Sequence, residues 1–114
     1  MKELIVEGFK VWVGENAQDN WDLLVAAKRD WLWFHLDKFS SAYVVVCPSS
    51  VASVASVANV PKKVIKQAAL ICKENSKYRN LPKVGVIYTQ VCNVKKGESV
   101  GEVTLNKKPS RIVV

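Results

Sequence analysis

The chain has 114 residues, 49% apolar and 24% charged, a balance that suits one soluble globular domain with its own core and excludes a disordered polymer. Its net charge of +7 is uneven, with residues 1–60 summing to −2 and residues 61–114 to +9, which fits either a polyanionic partner or a generic basic surface. Three widely spaced cysteines in apolar runs, Cys47, Cys72 and Cys92, with no CxxC, exclude a disulfide framework and a zinc site, and no run reaches the ~20 apolar residues of a membrane span; an intracellular, cytoplasmic protein is expected, with the nucleus open to it and with no cofactor or metal.

Glu3–Glu7 and Phe9–Gly14 are short β-type runs about Gly8 and predict a tight hairpin. In GENAQDN, Asn16 stands as an N-cap with Asp19 three residues on, and Leu23, Leu24 and Ala27 follow at helical spacing. A helix over Ala17–Arg29 follows, with Asn16 and Asn20 read as capping residues.

Asp30 to Val46, DWLWFHLDKFSSAYVVV, is the stretch that organises the chain, holding two of the four Trp and the single His. Leu32, Phe34 and Leu36 alternate with Trp33, His35 and Asp37, the period of a strand with one apolar face and one mixed face that is a candidate site. After the turn Lys38–Ser41, the β-branched run Ala42–Cys47 predicts a second strand, ended by Pro48. A three-residue loop would set His35 opposite Tyr43, on the face of Trp33 and Val45; a loop of two or four would separate them.

Trp33, His35 and Tyr43 are then placed to stack on unpaired bases, and the alternative is that Trp31 and Trp33 fill the core. His35 and Asp37 share a face and are able to hydrogen-bond, an arrangement that serves binding, catalysis or a structural histidine alike. No nucleophile motif, Gly-rich phosphate loop or metal-ligand cluster accompanies them, so a noncatalytic protein is expected, with an enzyme acting on nucleic acid as the lesser reading.

Ser49–Asn59 is a Val-Ala-Ser-biased segment read as a loop with room for a helical turn. Pro61 opens the strongest helix, which puts Val64, Ala68, Ile71 and Cys72 on one side and Lys62, Lys63, Lys66 and Lys73 elsewhere. Those lysines are a solvated face or the start of a phosphate-binding surface. Val84–Val94 predicts one long strand running into a Lys95-Lys96-Gly97 turn, and Gly101–Leu105 and Arg111–Val114 predict a final hairpin around NKKPS carrying Lys107 and Lys108. The fold class expected is α+β: a mostly antiparallel sheet of about six strands with two helices, the second across the sheet, in a single domain over 1–114.

The order WFHLDKFSSAYVVV resembles the hallmark of the NFACT-R family, the RNA-binding module of ribosome quality-control proteins and of a eukaryotic coiled-coil-domain protein. Gly14, Asn16, Asn20, Leu23, Asp30, Trp33, His35, Ser41 and Val44 to Val46 carry the resemblance, and VIYTQVCNVKKGESVGEVTLNKK extends it nearly to the C-terminus. Asp30 lies one residue farther from the His than in the family pattern, Tyr43 stands where the family has a second His, and Glu15 replaces a usual Arg. The pattern of the family's other domains, catalytic-type or coiled-coil, is missing, so the module standing alone is expected. The resemblance implies RNA as the partner, transfer RNA or ribosome-associated RNA, with Lys62, Lys63, Lys66, Lys95, Lys96, Lys107, Lys108 and Arg111 on phosphates and Trp33, His35 and Tyr43 on bases. An acidic protein partner, met as by an adaptor, is the alternative from charge.

Overall fold

The computed structural model describes residues 1–50 and 60–114, without the side chains of Ser49 and Ser50. The expected Ser49–Asn59 loop falls mostly on 51–59, outside the described residues, and its first two residues close a strand.

The first hairpin forms as read. β1 (Lys2–Val6) and β2 (Phe9–Val13) are joined by Glu7 and Gly8, both at positive φ (51° and 81°), the two-residue turn whose twist matches paired strands. α1 spans Ala17–Ala26, three residues shorter than expected, because Ala27 leaves the helix extended and the chain turns at Lys28 to bring Trp31 into the core. β3 (Leu32–Leu36) pairs with β4 (Val44–Ser50) in the register Trp33↔Val45, which sets His35 opposite Tyr43 with ring centroids 5.6 Å apart. β4 does not stop at Pro48. Its pairing with β3 ends at Val46, and between Val46 and Ser50 it advances four residues while β2 advances two, an irregularity that absorbs a residue without a backbone donor.

α2 (Lys62–Glu74) follows, then β5 (Gly85–Gln90), β6 (Val94–Lys96), β7 (Val103–Leu105) and β8 (Ser110–Val113). The single long strand expected over Val84–Val94 is broken by a 3-10 turn at Val91–Asn93, whose Val91 and Cys92 amides donate to the Trp31 and Arg29 carbonyls. That turn lifts β6 out of the sheet to pair with β7. The expected final hairpin is therefore not formed: β7 joins β6, and β8 returns to the main sheet beside β5.

The result is α+β, with a six-stranded antiparallel sheet in the order β1-β2-β4-β3-β5-β8 and a separate two-stranded ribbon. Period-2 alternation divides the core between its faces. Val11, Val13, Phe34, Leu36, Val44, Val46 and Val86 pack under Val64, Ala68, Ala69 and Cys72 of α2. On the other face Trp33, Tyr43 and Val45 are covered by Leu23 and Leu24 of α1 and by Val94, Val103 and Leu105 of the ribbon. Both faces of the central strands are thus filled.

Candidate functional site

The strand face read as a candidate site is covered over most of its length. Trp33 and Tyr43 are each 1% exposed, so the stacking role assigned to them is corrected to core packing by α1 and the ribbon. Trp33 lies parallel to His35 (5.7 Å between centroids) and edge-on to Tyr43 (5.5 Å), and its Nε1 has no hydrogen-bond partner among the described residues. The Tyr43 hydroxyl donates to the Gly101 carbonyl, and burial, with Glu102 nearby, pushes its pKa up to about 12. Only His35 of the three remains partly exposed.

Where β2 and β3 end and β4 begins, the sheet opens into a cleft of about 890 Å³. One wall is Gly14, Glu15 and Asn16 at the start of α1; a second is His35, Ser41 and Ala42; a third is Asn75 to Tyr78, just past α2; and Gly101 and Glu102, at the ribbon end, close it. A smaller hollow of about 520 Å³ adjoins it, sharing His35, Ser40, Gly101 and Glu102 and reaching Asp37, Lys38 and Phe39.

Local chemistry holds these walls. Asn16 caps α1, its Oδ1 accepting from the Asp19 amide at 2.8 Å, as the spacing predicts. Asn20 does not cap. It is buried, 7% exposed, and its Oδ1 accepts from the Tyr43 amide at 3.1 Å, tying α1 to β4. A Cβ on Gly14 would lie 1.9 Å from that oxygen, so glycine is what admits Asn20 here. The Gly14 amide in turn donates to the Tyr43 carbonyl at 2.9 Å. Ser41 Oγ accepts from the Leu36 amide and donates to the Ala42 carbonyl, both at 3.1 Å, which draws the β3–β4 connection over Cys72. Trp21 Nε1 donates to the Glu102 carbonyl at 3.0 Å and Lys96 Nζ sits 5.1 Å above the Trp21 ring, fastening the ribbon to α1.

His35 supplies the cleft's imidazole. Its Nδ1 lies 2.7 Å from the Leu36 carbonyl, which only accepts, so Nδ1 carries the proton and neutral His35 leaves Nε2 as an acceptor. Burial lowers its pKa against the opposing pull of that bond, keeping the ring neutral at pH 7. The His35–Asp37 bond that a shared face would allow is not formed: Asp37 Oδ2 accepts from Arg111 Nε at 2.9 Å instead, which also occupies a cation assigned to phosphates. Asp30, exposed before β3, is a whole strand from His35.

The expected lysines are divided. Lys62, Lys63 and Lys66 lie in the first turns of α2, on the opposite side of the sheet from the ribbon that carries Lys95 and Lys96, and Lys63 pairs with Glu7 at 3.3 Å in the first hairpin turn. Since the cleft begins past the far end of that 13-residue helix, Lys62 and Lys63 are about 20 Å from it. Lys107 and Lys108 lie in the connection from β7 to β8 and line neither the cleft nor the smaller hollow. The cations that do line the cleft and its neighbour, Lys2, Lys77 and Lys38, escaped the sequence reading, since each is single and none sits in a run. Among the described residues no three His, Cys, Asp or Glu are placed to hold a metal, and no helix is long and apolar enough to cross a membrane.

Comparison with known proteins matches residues 4–107 to the NFACT protein RNA binding domain. Coiled-coil domain-containing protein 25 of Mus musculus is 30% identical over 89 residues, covering 77% of this chain, and that of Danio rerio is 28% identical over 87, covering 75%. The chain spans 41% of the length of these relatives. The C-terminal part of the fibronectin/fibrinogen-binding protein from Streptococcus suis superimposes with a TM-score of 0.82 at 25% identity, over 98% of this chain and 43% of that one.

Proposed function

From the premise that this chain belongs to the NFACT protein RNA-binding domain family, we propose that it is a noncatalytic RNA-binding module, acting over residues 1–114 on transfer RNA or ribosome-associated RNA in the cytoplasm, in ribosome quality control. The observation that carries the reading is spatial. Gly14, Asn16, His35 and Ser41, separated by up to 27 positions in the sequence, all line one cleft, and buried Asn20 bonds its wall together. Residues needed only for the core would not have to converge on an opening.

The cleft suits an unpaired RNA segment. The His35 Nε2 acceptor meets a ribose 2′-hydroxyl or a base amino group, both donors, whereas an imidazolium would favour a phosphate. Lys2, Lys38 and Lys77 at the walls, and Lys95 and Lys96 on the ribbon, contact phosphates without reading sequence. Lys62, Lys63, Lys66, Lys107, Lys108 and Arg111 line neither the cleft nor the smaller hollow, and they act through the long-range field that draws in a polyanion.

The test is a titration of the chain with labelled transfer RNA, single-stranded RNA oligomers and an acidic peptide at several salt concentrations. RNA binding that falls steeply with salt and is weakened by His35→Gln is expected. RNA bound no tighter than the peptide, or without a salt slope, would favour an adaptor for an acidic protein. Turnover of labelled RNA, with or without divalent metal, that His35→Ala abolishes would replace binding by catalysis.

A further inference from the structure

Two Lys-aromatic dipeptides, Lys38-Phe39 and Lys77-Tyr78, are 39 positions apart in sequence and meet in space. Their rings are stacked, with centroids 3.9 Å apart and planes 23° apart. Tyr78 is half-buried, packs against the α2-side core, and has its amide bonded to Ser76 Oγ at 3.1 Å, so it is anchored. Phe39 is the outer ring. It is 37% exposed, a large apolar area left in water on the connection between β3 and β4. One ring face rests on Tyr78, which fixes the orientation of Phe39 before any ligand arrives.

The flanking charges match. Lys38 and Lys77 are exposed, and among the described residues neither forms an ion pair, unlike Lys63 with Glu7 or Arg111 with Asp37. Tyr78 lines the larger hollow and Phe39 the smaller, which places the stacked pair where the two adjoin. An apolar ring face beside two unpaired ammonium groups calls for a ligand with a flat apolar face and a negative charge on the same unit. A nucleotide has both, its base for the ring and its phosphate for the lysines. An acidic peptide satisfies only the charges.

We propose that Phe39, backed by Tyr78, is the platform on which an unpaired RNA nucleotide stacks at the mouth of the cleft, with Lys38 and Lys77 holding its phosphates. This rests on the RNA-binding reading above and moves its stacking surface from the buried Trp33–Tyr43 pair to a loop pair.

The test compares wild type, Phe39→Ala, Phe39→Leu, Phe39→Trp and a Lys38→Gln/Lys77→Gln double variant on single-stranded RNA and on the same strand in a duplex, with melting temperature as the control for folding. Phe39→Ala and Phe39→Leu are expected to weaken single-strand binding by about 5- to 150-fold at an unchanged salt slope, while Phe39→Trp keeps it. The double lysine variant is expected to flatten the log–log salt slope by about 1.4, from roughly 0.7 per single-strand contact. Leucine keeps the apolar bulk, so its loss separates stacking from loop packing. Single-strand binding that Phe39→Leu leaves intact, or that Phe39→Ala weakens equally on single strand and duplex, overturns the platform alone. A wild-type chain that binds no RNA overturns the platform and the RNA-binding reading together.

Discussion

Replacing Trp33 by Ala separates the two roles its ring was open to. The side chain is 1% exposed between α1, the ribbon and the sheet, so truncation leaves a cavity that the strands on either side cannot close. Losses of this kind cost about 3–5 kcal/mol, against a total of roughly 5–15 kcal/mol for a domain of this size. With a urea slope of about 1.5 kcal/mol/M, the unfolding midpoint should fall by roughly 2–3 M. Trp33→Phe is the informative companion. It sacrifices ring volume but also removes the buried Nε1 donor that has no partner among the described residues, a group whose burial costs about 1–3 kcal/mol. Its midpoint should therefore fall less than half as far as that of the alanine variant. Urea melts followed by circular dichroism read both shifts, and RNA titration of the remaining folded protein reads function. An alanine variant with an unchanged midpoint and tenfold weaker RNA binding would refute the core assignment and return Trp33 to the binding surface.

Gly14→Ala drives a Cβ into Asn20 Oδ1 and leaves the buried Tyr43 amide without its acceptor, so it should cost about 1–3 kcal/mol, and the cost should be strongly non-additive with Asn20→Ala in a double-mutant cycle. Lys95→Gln with Lys96→Gln should weaken RNA binding alike for all sequences and flatten the salt slope by about 1.4; unchanged affinity and slope would leave the ribbon lysines as solvated surface. His35 is held below the usual imidazole pKa, so above about pH 6.5 both folded and unfolded states are neutral there, and as pH falls the unfolded chain takes the proton first. Stability should therefore drop with falling pH from that point on, and His35→Gln should remove that limb; Glu15, Lys2 and Lys77 across the cleft, and Glu102, Tyr43 and Lys38 beside the ring, are the groups whose charges modulate it. For Tyr43 the sign is opposite: with the folded phenol raised to about 12, stability should be lost as pH climbs from about 10 through 12, measured by alkaline melts against Tyr43→Phe.

Periodicity made the sheet legible because its strands are half-core on each side, and the alternation of Leu32, Phe34 and Leu36 with Trp33 and His35 survives any topology. Even the His35–Tyr43 pairing could be read once the turn length was assumed. What alternation does not say is what covers the second face. Trp33 and His35 sit on the same side, and the difference between core and opening is made by Leu23, Val94 and Leu105, residues 10 to 72 positions away. The break at Val91 was hidden for a related reason, since the apolar Val91 and Val94 face the core through a turn as well as they would in a strand. Charge misled most. Counting lysines in the second half of the chain finds those in runs, and the topology scatters the runs while bringing the isolated Lys38 and Lys77 to the opening.

The cleft's walls come from Lys2 and from residues 13–20, 35–42, 75–78 and 100–102, so no single element contains it, and the Gly14 amide bond to the Tyr43 carbonyl ties two of those walls together. Occupancy is therefore linked to the folding equilibrium of the whole chain. Ligand at a hundred times its Kd adds about 2.7 kcal/mol to global stability. That increment should register as slowed amide hydrogen exchange at Gly14 and Tyr43 together, on two segments that approach each other only across the sheet. A chain of modest size would thus be more resistant to proteolysis when it carries its ligand than when it does not, and its lifetime would report how often it is bound.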